Sequence, residues 1–89
     1  MRAIVTVVGK DQVGIIAAVC NKLAQYNVNV LDISQTVMQG YFTMMMAVDT
    51  SMSDIPFAEL AKKLDAKGEE MGMSIRLQRE DIFDAMHRV

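Results

Sequence analysis

Four strand-like runs and two amphipathic helical runs in the order β-α-β-β-α-β predict an α+β, ferredoxin-like sandwich: a four-stranded antiparallel sheet, strand order 4-1-3-2, with both helices on one face. Three observations carry this prediction. The run Arg2-Ala3-Ile4-Val5-Thr6-Val7-Val8 is rich in β-branched residues, Gln39-Gly40 marks a tight turn between two further strand-like runs, and apolar residues recur at helical spacing after Gly14 and again after Pro56. At 89 residues and 52% hydrophobic composition the chain fits one domain with a modest core.

Residues 2–8 are apolar at nearly every position, as expected of a central strand covered on both faces. Between Gly14 and Tyr26, residues Ile15, Ile16, Val19, Cys20, Leu23 and Tyr26 form one helical stripe, with Asn21, Lys22 and Gln25 opposite. Asn27 ends that helix, since asparagine tolerates the left-handed conformation. Residues 28–37 read as a strand with Leu31, Ile33, Gln35 and Val37 on one face and Asp32, Ser34 and Thr36 on the other. After the turn, residues 41–49 form its hairpin partner, with Tyr41, Met45 and Ala47 opposing Phe42, Met44, Met46 and Val48. Both faces of this strand are therefore apolar, and the helix-free face calls for a cover: the C-terminal tail, a second subunit, or pairing at a sheet edge.

Residues 50–54 supply capping residues and Pro56 suits the first turn of the second helix. Phe57, Leu60, Ala61, Leu64, Gly68 and Met71 form its buried stripe, and Gly72 closes it. Met73, Ile75 and Leu77 alternate with Ser74, Arg76 and Gln78 in a half-buried strand. The domain is expected over residues 1–80, followed by a short helical tail over 81–89, with Ile82, Phe83, Met86 and Val89 packing on the domain or on a dimer partner.

Net charge is −2, from 9 basic and 11 acidic residues scattered along the chain, so no basic surface for nucleic acid is expected. The apolar runs fall short of the ~18 to 20 residues that span a bilayer, and Gly9-Lys10-Asp11 follows the first one where a signal peptide would have a small-residue cleavage site. One cysteine, Cys20, suits a reducing compartment and the role of a small core residue. A cytoplasmic location, with no membrane contact, is the expectation.

The turn Gly9-Lys10-Asp11-Gln12-Val13-Gly14-Ile15 is the best candidate for a ligand site, because glycines let a bound group approach the backbone and the following helix presents free N–H donors. Phosphate readings fail: Gly9 and Gly14 have P-loop spacing, but Ile15-Ile16 stand where that motif needs Lys and Ser or Thr. No Cys/His pair stands at metal-ligand spacing, and His87 is expected to be merely solvated. Met44-Met45-Met46 alternate faces and cannot converge on an ion. With no nucleophile near a base, no catalytic residue is assigned and no cofactor is called for. Asp11, Gln12, Gly14, Asn27 and Asn29 remain. Read structurally, Asp11 is a turn or helix-cap residue, Gly14 relieves crowding between turn and sheet, and the asparagines punctuate the helix–strand corner. Read functionally, the helix N-terminus takes a carboxylate, and Asp11 or an asparagine oxygen accepts from an ammonium group; together these describe an α-amino acid.

The strand Ile4-Val5-Thr6-Val7-Val8, then Gly9-x-Asp11-x-x-Gly14-Ile15-Ile16, Val19, Leu23 and Asn27-Val28-Asn29-Val30-Leu31-Asp32-Ile33 resemble an ACT domain across residues 1–80. Gln12-Val13 replaces the Arg-Pro pair common in that family. The chain is most similar to small stand-alone ACT proteins of uncharacterised function, which in turn resemble the ACT units of the glycine-cleavage regulator. The resemblance implies an effector site in which the first turn of one subunit faces the helix–strand corner of another. By position, Gly9, Lys10, Asp11, Gln12, Val13, Gly14 and Ile15 of one chain would meet Asn27, Asn29, Val30 and Leu31 of its mate. The expectation is a non-enzymatic regulatory homodimer that binds a small amino acid or related carboxylate and acts on a partner protein. The alternative is a dimerisation or protein-interaction module that has lost its ligand.

Overall fold

In the computed structural model, which describes residues 1–81, the elements are β1 (Arg2–Lys10), α1 (Ile15–Gln25), β2 (Asn29–Met38), β3 (Tyr41–Asp49), α2 (Phe57–Met71) and β4 (Ser74–Arg79). The sheet order is β2-β3-β1-β4 and every pairing is antiparallel, which is the expected order read from the other edge. The fold is therefore the ferredoxin-like βαββαβ sandwich. The expected helical tail lies, from residue 82 on, outside the described residues, as does His87.

The core fills the space between sheet and helices. Ala3, Val5 and Val7 of β1 and Met44, Met46 and Val48 of β3 are fully buried against Val19 and Leu23 of α1 and Leu60 and Leu64 of α2. Each of these side chains other than Ala3 contributes about 1.5 to 3 kcal/mol of transfer free energy. Cys20 is half-buried and packs against this core, as expected. β1 is central, but among the described residues nothing covers its second face: Ile4 and Thr6 are only half-buried and Val8 is exposed. Its all-apolar character, read as burial on both faces, corresponds among the described residues to one buried face and one open face.

α1 ends as predicted. Asn27 adopts φ 62°, its N–H donates to the Ala24 carbonyl at 3.0 Å, and the Val28 N–H reaches the Leu23 carbonyl at 3.0 Å, the paired bonds of a Schellman motif. Gln39 and Gly40, both at positive φ, make the two-residue hairpin turn. The strand before that turn departs from simple alternation. A register shift between Val30 and Asp32 puts Val30 opposite Val48 and Ile33 opposite Met46, so Leu31 is the extra residue of a bulge and drops out of the Ile33–Val37 row.

α2 begins differently from the expectation. Pro56 is its N-cap rather than part of its first turn, and no side chain caps it; the Ser53 hydroxyl instead bonds to the backbone of Ile55. At the far end Gly72 closes the helix, and Gly68 lies buried in the stripe because α2 presses on the final strand there. A Cβ on Gly68 would stand 2.6 Å from the Met73 carbonyl oxygen and 3.1 Å from the Ile75 nitrogen.

Candidate functional site

The first candidate segment divides between strand and turn. β1 runs on through Gly9 and Lys10, which pair with Phe42 and Tyr41, and the Asp11 N–H continues the ladder to the Gly40 carbonyl at 2.8 Å. A Cβ on Gly9 would meet the side chain of Met73 at 2.9 Å, so this glycine makes room for packing. The turn proper is Asp11–Gly14. Gly14, at φ 85°, is the N-cap of α1 and has open space where a Cβ would stand; the left-handed backbone, not crowding, is what asks for glycine.

No side chain caps α1 at this end, and the first intrahelical bond runs from the Ala18 N–H to the Gly14 carbonyl at 2.9 Å. The N–H groups of Ile15, Ile16 and Ala17 thus face outward at the positive end of the helix dipole. Asp11, Gln12, Gly14, Ile15, Ile16, Ala17 and Phe42 line a hollow of ≈ 190 Å³ beside them. Gln12 is committed elsewhere: its Nε2 donates to the carbonyl of Met71 at 3.0 Å, satisfying a group left over at the end of α2. Val13 stands fully exposed on the crest of the turn.

The second segment is tied down at the other end of α1. The Asn27 Nδ2 donates to the Met52 carbonyl at 3.0 Å, and the Asp54 N–H donates to the Tyr26 carbonyl at 3.0 Å, so the loop before α2 is fastened to this corner. Asn29 opens β2 opposite Asp49. The Asp49 carboxyl is held below its ordinary range by the backbone N–H of Ser51, 2.9 Å away, with help from the Met1 ammonium at 3.5 Å. Ala24, Asn27, Val28, Asn29 and Met52 line a hollow of ≈ 380 Å³. Val30 is half-buried against the core, whereas Leu31 is 47% exposed at the bulge.

Two groups therefore form, one at each end of α1. The helix has 11 residues, so at a rise of about 1.5 Å per residue the groups stand about 16 Å apart and do not meet within one chain. Met52 and Asp49 were not singled out from the sequence; they reach the Asn27 corner through a loop contact and a cross-strand pairing that no local pattern announces. A larger hollow of ≈ 650 Å³ lies on the outer side of α2, around Ala58 and Lys62, and one of ≈ 280 Å³ lies between α2 and β4, both away from the two groups. No cluster of metal-ligating side chains occurs among the described residues, and no helix there is long and apolar enough to cross a membrane.

The sequence model of the ACT domain family matches residues 2–78. The chain belongs to the ACT domain family. A UPF0237 protein of Listeria innocua is 55% identical to it over 89 residues, covering 100% of both chains. The solved structure of an ACT domain protein from Streptococcus pneumoniae superposes with a TM-score of 0.82 at 44% identity, covering 98% of each chain. A structure described as a glycine cleavage system transcriptional repressor superposes with a TM-score of 0.74 at 19% identity, over 86% of this chain and 44% of that one, and shares the fold. This is an ACT domain protein of the UPF0237 type.

Proposed function

We propose that this ACT protein is a non-enzymatic regulator, a homodimer that binds a small amino acid or related carboxylate between its two subunits. The observation that carries the reading is the placement of the two candidate groups at opposite ends of α1. A second copy turned end for end supplies what one chain lacks.

The free edge of the sheet favours that partner. β2 is an edge strand ten residues long, without proline or lysine, and Leu31, Ile33, Val37 and Met38 are exposed along it. Long apolar edges of this kind seek another strand. Antiparallel pairing of two β2 strands sets the Asn29 end of one against the Met38 end of the other. Met38 leads into Gly40, whose carbonyl holds Asp11, so the corner of one chain comes to the turn of its mate. There the outward N–H groups of α1 receive the ligand carboxylate, and Asp11 with the partner's asparagine corner receives its ammonium group. Because the ligand touches both chains, it stabilises the dimer, and a partner protein that reads the dimer would read the ligand.

Calorimetric titration of the proteinogenic amino acids at millimolar concentration, with sizing in parallel, tests this. Heat and a tighter dimer are expected for at least one small amino acid; no heat for any would sink the reading. The fully exposed Val13 and the committed Gln12 favour the second reading, a ligand-free interaction module. That reading expects Gly14→Leu to leave both dimer and partner capture unchanged.

A further inference from the structure

One face of the sheet lies under the helices, and among the described residues nothing covers the other. Along this open face, register aligns Thr6 with Met45 and Ser34, and Val8 with Thr43 and Thr36. The apolar groups left open on it are large: Met45 is 38% exposed, Val8 42%, Tyr41 55% and Met38 69%. We propose that on this face two β2-paired dimers stack sheet on sheet, making a tetramer. The inference rests on the edge pairing proposed above and goes beyond it.

Two observations make further copies of this chain the occupant. The first is where charge stands. Edge pairing moves β2 from the rim of a four-stranded sheet to the centre of one twice as wide, and it leaves β4, with Arg76, at the rim. Among the described residues, the middle of the open face, read from Ser34 and Thr36 through Thr43 and Met45 to Thr6 and Val8, then has no ionisable group. Arg2, Lys10 and Asp49 stand at strand ends, and Asp32, nearest the middle, accepts the N–H of its own neighbour Ile33 at 2.9 Å. An uncharged centre with Met45 in it, flanked by Tyr41 and Met38 and rimmed by charge, has the make-up of a protein interface. Facing a copy of itself, such a centre buries no unpaired charge.

The second is area. Strands of six to ten residues, about 4.8 Å apart with about 3.4 Å per residue, offer roughly 500 Å² of open face per chain. That falls short of the about 800 Å² per partner that a stable interface buries, whereas two chains joined at β2 offer roughly 1,000 Å² and exceed it. Stacked sheets stand about 10 Å apart, which lets side chains such as Met45 and Val8 interdigitate with those of the opposite sheet. Edge pairing and stacking are therefore coupled, because the first makes the second face large enough.

Light scattering on the full chain, with circular dichroism to check folding, tests this. The wild type should have the mass of four chains. Thr43→Glu, which sets like charges at the centre of the stacked faces, and Met45→Lys should halve it to two; both positions are exposed in the single chain, so either folded variant suffices. Ile33→Lys, opposite the buried Met46 on the helix side of β2, should bring the mass to one chain by removing the edge pairing. Lys62→Glu, on the outer side of α2, should leave four. A wild type of two chains would overturn the stacking and leave the edge pairing standing, and a wild type of one chain would overturn both. Four chains retained by folded Thr43→Glu or Met45→Lys would overturn the stacking as well.

Discussion

Gly68→Val should destabilise the protein by on the order of 3 kcal/mol, a large share of the stability of a small domain. The added atoms would press on the Met73 carbonyl, and backbone cannot swing aside as a side-chain tip can. Moving α2 off β4 to relieve the contact would loosen Leu64 and Ile75, both buried in the same layer. Ala66→Val, at an exposed position of the same helix, should cost only the small helix-propensity difference, about 0.5 kcal/mol. Urea denaturation of the two variants checks this. Equal losses at the two positions would show that the close approach at Gly68 is relieved without strain.

The second large effect is expected at the turn. Asp11→Ala should weaken the amino acid that gives the greatest calorimetric heat by roughly 10- to 100-fold, the loss expected when a charge-assisted hydrogen bond worth about 1.5 to 3 kcal/mol is removed. Gln12→Ala is the matched comparison. Its amide is already bonded to Met71, so it should lower stability by about 1 kcal/mol and leave affinity nearly unchanged. Calorimetry and urea denaturation on both variants separate the two roles. An Asp11→Ala protein with unaltered affinity would remove Asp11 from the site.

Element order, sheet order and most core positions were legible in the chain because periodicity is local information. The stripe Ile15, Val19, Leu23 and the alternation Phe42, Met44, Met46, Val48 are buried as their spacing implies. What the sequence could not reveal depends on contacts distant along the chain. The true extent of β1 follows from the Asp11–Gly40 bond, the bulge at Leu31 from the register against β3, and the reason for Gly68 from the carbonyl of Met73. The candidate site was legible in the same uneven way. The conformation of Asn27 could be read from residue type, as its positive φ bears out, whereas Gly14, expected to relieve crowding, stands in open space and is needed for its left-handed backbone. That Gln12 and the Asn27 amide are fastened to α2 and Met52, and so are partly taken up by the fold, could not be read that way.

The length of α1 has a genetic consequence. If the proposed site forms, with one candidate group at each end of this helix, every complete site in the proposed dimer would draw on two chains. A chain carrying Asp11→Ala and a chain carrying Asn29→Ala would each form only damaged sites as pure dimers. Mixed, they would form one site with both lesions and one with none. Two inactive copies expressed together should therefore complement each other, regaining up to one working site per mixed dimer.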